Sequence, residues 1–248
     1  MEPPPYPPPR GRGGRYRFAC RAIFFDAGNT LFHPYPSVGE IYAQVASRYG
    51  IVQPPDVLQE RFHRHWRNRG GMASLEGPAT PGLERRWWRS LVKDVFSEIA
   101  SDDRFERFFD ELYHTFGQAQ NWRLYPEVRE TLSRLKSKGF ILGIISNWDS
   151  RLLALCRQMD LEAYFDFILI SAVIGHSKPG EKIFQNALTL AGCAPEEAIH
   201  VGDSYQDDYE AATLAGIGAI YLDRTGKSTG DIPMVSNLKE LLSCVRMP

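Results

Sequence analysis

A regular alternation of short apolar runs and amphipathic segments, from Tyr125 onward, constrains the fold more than any other feature of this sequence. We predict strands at the apolar runs, residues 140–145, 167–171, 198–201 and 219–222. We predict helices at the amphipathic segments, residues 126–138, 151–159, 181–191, 207–215 and 238–245. Alternation of this kind is typical of an open parallel sheet with helices on both faces, so the sequence predicts an α/β fold.

The first part of the chain has a different pattern. One apolar run, residues 22–25, ends at Asp26. It is followed by segments with the helical spacing of apolar residues and no convincing strand between them, at residues 37–49, 56–66, 83–99 and 104–116. We therefore interpret residues 33–123 as an all-helical cap subdomain, inserted into an α/β core made of residues 18–32 and 124–248.

Composition excludes several classes of partner. The 248 residues carry a formal net charge of −1, and no apolar run approaches the roughly 20 residues that a membrane helix needs. We therefore expect neither nucleic acid nor a membrane as a partner. Four widely separated cysteines favour a reducing, cytoplasmic location. Residues 1–17 are rich in proline, glycine and arginine and lack the apolar stretch of a secretory signal, so we predict a disordered N-terminal arm.

Polar residues follow four of the predicted strands, close to the point where each strand ends. They are Asp26, the pair Ser146 and Asn147, Lys178, and the group Asp203, Asp207 and Asp208. Because the carboxyl ends of parallel strands meet at one edge of the sheet, we expect these side chains to converge there. Carboxylates crowded into a few residues repel one another unless a cation lies among them, and hard oxygen ligands suit Mg²⁺.

Together these segments supply a carboxylate nucleophile, a hydroxyl group, a lysine and an acidic metal site. They resemble the haloacid dehalogenase superfamily at residues 26–31, 146–147, 178–179 and 202–208. The resemblance covers residues 20–225 and is to the subgroup with a helical cap between the first and second segments, closest to the rhythmically-expressed-gene-2-like branch. It implies a Rossmann-like core and a hydrolase, which we interpret as a phosphatase for a small phosphorylated metabolite.

The resemblance implies a role for each acidic residue. Asp26 would attack phosphorus and become an aspartyl phosphate. Asp26, the carbonyl group of Gly28 and Asp203 would hold Mg²⁺, and Asp208 would orient the metal or its water ligands. Asp207 stands at a position that often carries an amide in relatives, so we do not count it as a ligand.

The remaining matching residues would bind the phosphoryl group. Ser146 and the backbone of Asn147 would bind its oxygens, and Lys178 would neutralise charge between the phosphate and the nucleophile. Thr30 would shape the turn after the nucleophile.

Gly28 departs from the pattern of the superfamily's phosphomonoesterases, which carry a second aspartate two residues after the nucleophile. That aspartate donates a proton to the leaving oxygen and later activates water. Its loss typically costs ~10²–10⁴ in rate. We therefore predict slow phosphatase activity that favours esters with weakly basic leaving groups. His33 and His63 are candidates to replace the missing acid.

Three alternatives remain open at this stage. A 2-haloacid dehalogenase also uses an attacking aspartate, but it tends to lack the acidic cluster and usually carries an aromatic residue at the position of Gly28. Phosphonate cleavage needs a lysine in the cap, where Lys93 is the sole candidate and lies beyond the expected position. A binding or scaffold protein that has lost turnover is the third alternative.

The cap is rich in arginine, which could bind a carboxylate or a second phosphate of the substrate through its forked donors. These residues are Arg61, Arg64, Arg67, Arg69, Arg85, Arg86 and Arg89. Both a monomer and a homodimer are compatible with the apolar faces of the cap.

Overall fold

The computed structural model describes residues 16–75, 77–99, 101, 103–228 and 230–248. Most of the predicted disordered arm lies outside the described residues. The prediction is wrong at Tyr16, whose ring packs against the core and whose hydroxyl donates to the backbone oxygen of Asp231 over 3.1 Å.

Six strands of the described residues form one parallel sheet. The strands are β1 (Phe18–Ala19), β2 (Ala22–Phe25), β3 (Phe32–Pro34), β4 (Trp122–Leu124), β5 (Ile141–Ser146), β6 (Phe167–Ile170), β7 (Ala198–Gly202), β8 (Gly218–Leu222), β9 (Met234–Val235) and β10 (Val245–Arg246). The sheet has the order β6-β5-β2-β7-β8-β9, and all its neighbours are parallel. The predicted Rossmann-like α/β fold is confirmed.

The helices occupy two regions of the chain. They are α1 (Val38–Ser47), α2 (Pro55–Arg69), α3 (Pro81–Val95), α4 (Phe105–Thr115), α5 (Val128–Ser137), α6 (Arg151–Gln158), α7 (Ser171–Ile174), α8 (Glu181–Ala191), α9 (Ala211–Leu214) and α10 (Leu241–Cys244). The first four lie between β3 and β4, and the others alternate with the strands of the sheet. Every helix of the described residues is too short or too polar to cross a membrane.

The central strand β2 explains how Asp26 reaches the edge of the sheet. All four of its residues are buried, because neighbouring strands cover both its sides and helices cover both faces. Ile23 and Phe25 point into one apolar cluster, and Ala22 and Phe24 point into the other. The two-residue alternation of a strand therefore buries every side chain up to Asp26, which is the first polar residue beyond the strand.

The four helices α1–α4 have an apolar cluster of their own, built around Tyr42, Phe96 and Phe108. The rings of Phe96 and Phe108 meet edge to face with centroids 4.7 Å apart, and the ring of Tyr42 lies 5.7 Å from that of Phe96. This cluster is separate from the two clusters that flank the sheet. The helical insertion thus packs around its own core.

A two-stranded antiparallel ribbon joins the insertion to the rest of the chain. Strands β3 and β4 pair from Phe32 opposite Leu124 to Pro34 opposite Trp122. Neither strand was predicted from the sequence, and both flank the predicted helical segments instead of interrupting them. Three-residue strands are too short to show a two-residue periodicity. The division at residues 33–123 remains an interpretation, and it cuts through this ribbon.

The structure also differs from the predicted helices near the end of the chain. The segment predicted as one helix, residues 207–215, is a π-helix at Tyr205–Glu210 followed by α9. Residues 238–245 form a 3₁₀ turn, α10 and then β10, which pairs with β1. Apolar spacing does not distinguish these helical variants, because it reports only which face is buried.

Candidate active site

Asp26 is buried at the end of β2 between residues from two other segments. Its side chain accepts a hydrogen bond from Ser146 Oγ over 3.0 Å and one from Lys178 Nζ over 2.8 Å, both at Oδ1. Ser146 is the last residue of β5, which pairs with β2, so their strand ends lie side by side. Three of the predicted strand-end residues are therefore in direct contact.

Lys178 joins Asp26 to a second carboxylate. Its ammonium group lies 2.5 Å from Asp208 Oδ1, and the side chain is 2% exposed. Burial by itself would lower the pKa of Lys178, but the charges of Asp208 and Asp26 outweigh that effect and raise it. The lysine is therefore a fixed positive charge at neutral pH.

A pair of amide contacts fixes the loop that carries Lys178. The side-chain nitrogen of Asn147 donates to the backbone oxygen of Lys178 over 2.8 Å, and the Lys178 amide donates to Asn147 Oδ1 over 2.9 Å. The Asn147 side chain thus positions the lysine. From the sequence we expected a role only for the Asn147 backbone, in binding phosphoryl oxygens.

Asp208 is held by the π-helix and by a close approach to β7. Its Oδ2 accepts from the Ser204 amide over 3.0 Å, and its Oδ1 lies 2.8 Å from His200 Nε2. A β-carbon on Gly202 would lie 2.1 Å from the Asp208 carboxyl carbon, so only glycine leaves room for this contact. Burial lowers the pKa of His200, which favours the neutral ring with its Nε2–H donated to Asp208.

Asp203 completes an acidic cluster with Asp26 and Asp208. One carboxylate oxygen of each residue lies within 4.8 Å of those of the other two. Thr30 Oγ1 donates to Asp203 Oδ1 over 3.3 Å, so Thr30 contacts the cluster directly. Asp207 lies outside this cluster, although it lines the same cavity.

The electrostatics of the cluster fit a divalent cation. Burial and the charges of Asp26 and Asp208 raise the pKa of Asp203 to about 7, and burial raises the pKa of Asp26 despite the charge of Lys178. Lys178 and His200 lower the pKa of Asp208 against the effect of burial. Asp203 and Asp26 thus resist ionisation unless a further positive charge lies nearby. Carboxylate oxygens grouped in this way suit Mg²⁺.

Arg224 anchors the turn after Asp26, and sequence reasoning missed it. Its guanidinium donates to the backbone oxygens of Asn29 over 3.1 Å and Thr30 over 2.7 Å. The same group donates to Glu127 Oε1 over 2.7 Å. Arg224 lies one residue beyond a strand-end Asp in the sequence, and only that position could have drawn attention to it.

A cavity of about 690 Å³ opens between this cluster and the helical insertion. Gly28, His33 and His63 line it together with the acidic residues. Aromatic side chains from the insertion and from the loop after β5 form much of the remaining wall, including those of Phe62, Trp66, Trp88, Trp122 and Trp148.

None of the seven cap arginines proposed from the sequence lines this cavity. Arg61 instead pairs with Glu98 at 2.9 Å and Arg64 with Glu60 at 3.7 Å. Arg69, Arg85 and Arg89 form ion pairs with Asp94, Asp110 and Glu106. The hypothesis that one of these arginines binds the substrate has no support from their positions.

Buried contacts attach α3 to the loop that follows β5. Glu84, which is fully buried, accepts from the Ser150 amide over 3.0 Å and from Ser150 Oγ over 2.5 Å. Trp88 Nε1 donates to Asp149 Oδ2 over 2.6 Å. This loop directly follows Ser146, which contacts Asp26, so only a few residues separate the attachment of the insertion from the acidic cluster.

The comparison with protein families decides the identity of this arrangement. The family model of haloacid dehalogenase-like hydrolases matches residues 20–216. The chain belongs to the haloacid dehalogenase-like hydrolases. The matched region contains Asp26, Ser146, Lys178, Asp203 and Asp208.

Individual relatives agree with this assignment. This haloacid dehalogenase-like hydrolase is 36% identical to the Xenopus laevis "Haloacid dehalogenase-like hydrolase domain-containing protein 3", over 80% of this chain and 82% of the relative. It is 29% identical to the Drosophila melanogaster "Rhythmically expressed gene 2 protein", over 79% and 80% of the two chains. The resemblance to that branch is confirmed.

Among solved structures, a 2-haloacid dehalogenase from Pseudomonas syringae pv. Tomato DC3000 is similar, with a TM-score of 0.64 and 26% identity. The alignment covers 91% of this chain and 97% of that enzyme.

Proposed function

We propose that this hydrolase is a Mg²⁺-dependent phosphatase that forms an aspartyl phosphate on Asp26 and acts on a small phosphorylated metabolite. The observation that carries the proposal is the approach of the Asp26, Asp203 and Asp208 carboxylate oxygens to within 4.8 Å of one another, beside a single buried lysine. Three ionised carboxylates against one ammonium group leave two negative charges uncompensated. A divalent cation matches that excess.

The contacts of Asp26 assign its two oxygens different tasks. Ser146 and Lys178 both donate to Oδ1, so we assign the attack on phosphorus to Oδ2. The new Oδ2–P bond forms as the P–O bond to the leaving group breaks, and the leaving group keeps the electron pair. Water then attacks phosphorus, which releases inorganic phosphate and restores the Asp26 carboxylate.

Asp26, Asp203 and the Gly28 carbonyl would hold the metal, and Asp208 would orient it. When bound, Mg²⁺ would neutralise charge on the transferring phosphoryl group. Ser146 and the Asn147 amide would contact the phosphoryl oxygens, and Lys178 would draw the phosphate towards Asp26.

Gly28 sets the expected substrate preference. Glycine has no group to protonate the leaving oxygen, so the leaving group must depart as an anion. Weakly basic leaving groups then react much faster than alkyl alcohols, because the missing proton transfer is typically worth ~10²–10⁴ in rate. His33 and His63 line the cavity, so each is tested as a replacement acid.

Dehalogenation of a 2-haloacid is the second candidate, because a solved 2-haloacid dehalogenase is 26% identical to this chain. Its substrate carries a carboxylate that needs a cationic partner. The described residues that line the cavity include one lysine, Lys178, and one arginine, Arg151. Both side chains already form ion pairs with aspartates of this chain. The acidic cluster also has no task in that reaction, so we favour the phosphatase.

Turnover of acetyl phosphate and 4-nitrophenyl phosphate, with Mg²⁺ and with excess chelator, tests the proposal. We expect phosphate release that needs Mg²⁺ and is lost in Asp26→Asn. The intact mass of acid-quenched wild-type protein should increase by one phosphoryl group. Alkyl phosphates should be slow, and they should stay so in His33→Gln and His63→Gln.

Three results would count against it. Chloride release from 2-chloropropionate without added metal would favour the dehalogenase. Fast alkyl phosphate turnover that is unchanged in both histidine variants would contradict the leaving-group argument. Phosphate binding without any turnover would favour a binding protein.

A further inference from the structure

We propose that the substrate is an aryl phosphate, whose aromatic leaving group lies against a row of stacked rings in the helical insertion. The inference rests on the proposed phosphatase function, since it names the substrate class of the same site. It is carried by the composition and arrangement of the cavity wall that the insertion supplies.

The row consists of Phe62, Trp66 and Trp88, all of which line the cavity and are half-buried. The ring centroids of Phe62 and Trp66 lie 5.7 Å apart with an interplanar angle of 29°. Those of Trp66 and Trp88 lie 5.6 Å apart, again with an angle of 29°. We call these three residues the ring row. A planar aromatic group can bury a face or edge against such a surface.

Two further aromatic rings, those of Trp122 and Trp148, line the cavity, and Trp148 lies next to Gly28. The centroids of these two rings lie 5.1 Å apart. A ring held between these tryptophans and the ring row would contact apolar surface on several sides. A cavity of about 690 Å³ is within the usual range for drug-sized ligands, so there is room for one or two fused rings.

Two of the polar side chains that line the cavity, Gln59 and Arg151, already have partners within the chain. Gln59 Nε2 lies 2.9 Å from His63 Nε2, and Gln59 Oε1 accepts from the Gly39 amide over 2.7 Å. The guanidinium of Arg151 pairs with Asp149 and lies over the ring of Tyr113, 3.8 Å from its centroid. A sugar hydroxyl or a second phosphate that bound Gln59 or Arg151 would have to displace these contacts, whereas an aromatic ring against the apolar wall would not.

The chemistry of the leaving group favours the same class of substrate. A phenol has a pKa of about 10, far below that of an ordinary alcohol, so phenolate leaves without a proton donor. Asp26 Oδ2 bonds to phosphorus, the P–O bond to the ring breaks, and the phenolate keeps the electron pair and later takes a proton from water. Gly28 favours any weakly basic leaving group and the ring row favours an aromatic one, and an aryl ester satisfies both independent features.

Binding of phosphonates, which this reaction cannot cleave, separates recognition of the ring from turnover. In the presence of Mg²⁺, we expect 1-naphthylphosphonate to bind about 10- to 50-fold more tightly than methylphosphonate, from the apolar area that the rings bury. Isothermal titration calorimetry measures both affinities.

Two variants of the ring row test where the aromatic group binds. Phe62→Leu and Trp66→Leu should each reduce the advantage of the naphthyl compound by about 5- to 10-fold and leave the affinity for methylphosphonate unchanged. Trp87→Phe is the matched control, because Trp87 contacts Trp66 and Trp88 edge to face but does not line the cavity. Its affinities should equal those of the wild type. Unchanged methylphosphonate binding also shows that each variant is folded.

The outcomes distinguish this inference from the function on which it rests. Equal affinities for the two phosphonates, together with Mg²⁺-dependent turnover of acetyl phosphate, would overturn the aryl substrate and leave the phosphatase standing. A naphthyl advantage that survives in both leucine variants would overturn the ring row as its binding surface. Absence of Mg²⁺-dependent turnover of both acetyl phosphate and phenyl phosphate would overturn the phosphatase, and this inference with it.

Discussion

A β-carbon built on Gly28 would lie 3.0 Å from Cζ3 of Trp148, so the indole ring occupies the space beside the position where related phosphatases carry an acid. Trp148 has little freedom to move away. Its ring meets that of Phe32 edge to face with centroids 5.7 Å apart, and it packs on Trp122. The space that a side chain at residue 28 would need is thus partly filled by the indole ring of Trp148.

This relationship predicts that Gly28→Asp alone will not restore a general acid. The new side chain would have to displace Trp148, so we expect alkyl phosphate turnover to stay within about threefold of wild type. Gly28→Asp combined with Trp148→Ser should raise it roughly 10- to 100-fold. Gly28→Ala, which adds bulk without an acid, is the control. A full gain in the single variant would show that Trp148 does not obstruct the position.

Removal of a metal-cluster carboxylate should weaken Mg²⁺ binding selectively. We expect Asp203→Asn to raise the half-saturating Mg²⁺ concentration roughly 10- to 100-fold, because the site loses one of the two charged ligands, Asp26 and Asp203, that we assign to it. Asp207→Asn, four residues further along and outside the cluster, should change it less than about threefold. Calorimetric titration with Mg²⁺ measures this without turnover. Equal effects of the two substitutions would refute our assignment of the ligands.

The Glu84 contacts predict how firmly the insertion is attached. Glu84→Ala removes the acceptor of both the Ser150 amide and the Ser150 hydroxyl, which should cost about 2 kcal/mol. The thermal midpoint should fall by roughly 4–8 °C. The exposed Glu60, whose ion pair with Arg64 is 3.7 Å long, provides the control in Glu60→Ala, which we expect to be nearly neutral. An equal loss in both would contradict a special role for Glu84.

The Glu127–Arg224 pair predicts a loss of stability in acid. Burial tends to raise the pKa of Glu127, but the hydrogen bond and charge of Arg224 outweigh it and hold that pKa below its ordinary value. A lowered pKa in the folded state stabilises the protein fully above the unfolded-state pKa of about 4.3, and this contribution is lost as the pH falls through the folded-state value.

The test compares the wild type with Glu127→Gln in thermal unfolding at several pH values. At neutral pH the variant should be less stable by about 1–2 kcal/mol. The difference should shrink as the pH falls below about 4.3, because the wild type then loses the charge that the variant lacks. A difference that is constant with pH would mean that the charge of Glu127 contributes nothing.

The strand-end residues could be predicted from the sequence because apolar runs mark the strands and amphipathic spacing marks the helices between them. The apolar runs that became β2, β5 and β7 end at or next to Asp26, Ser146 and Asp203, and a parallel sheet brings such ends to one edge. The order β6-β5-β2-β7 places these three strands side by side. The sequence pattern thus placed these residues at one edge of the sheet, and the strand order brought them next to one another.

Residues that act through contacts between distant segments could not be predicted in this way. Trp148, Arg224 and Glu84 each looked like an ordinary loop or helix residue in the sequence. Glu84 meets Ser150 across a separation of 66 residues, and Arg224 meets Thr30 across 194. Neither separation leaves a periodic signal. The cap arginines show the converse error, because the sequence does not tell an arginine on an exposed helix face from one that lines a cavity.

The amino-acid sequence by itself determined the parallel sheet, the helical insertion and the set of polar residues at the strand ends. Side chains on one face recur every two residues in a strand and about every 3.6 residues in a helix, and burial of one face makes both spacings visible in a single amino-acid sequence. Only the tertiary structure decided that Trp148 lies beside Gly28 and that a row of aromatic rings lines the same cavity as the carboxylates. Those relationships depend on how separately folded layers pack, and packing joins side chains that no local pattern connects.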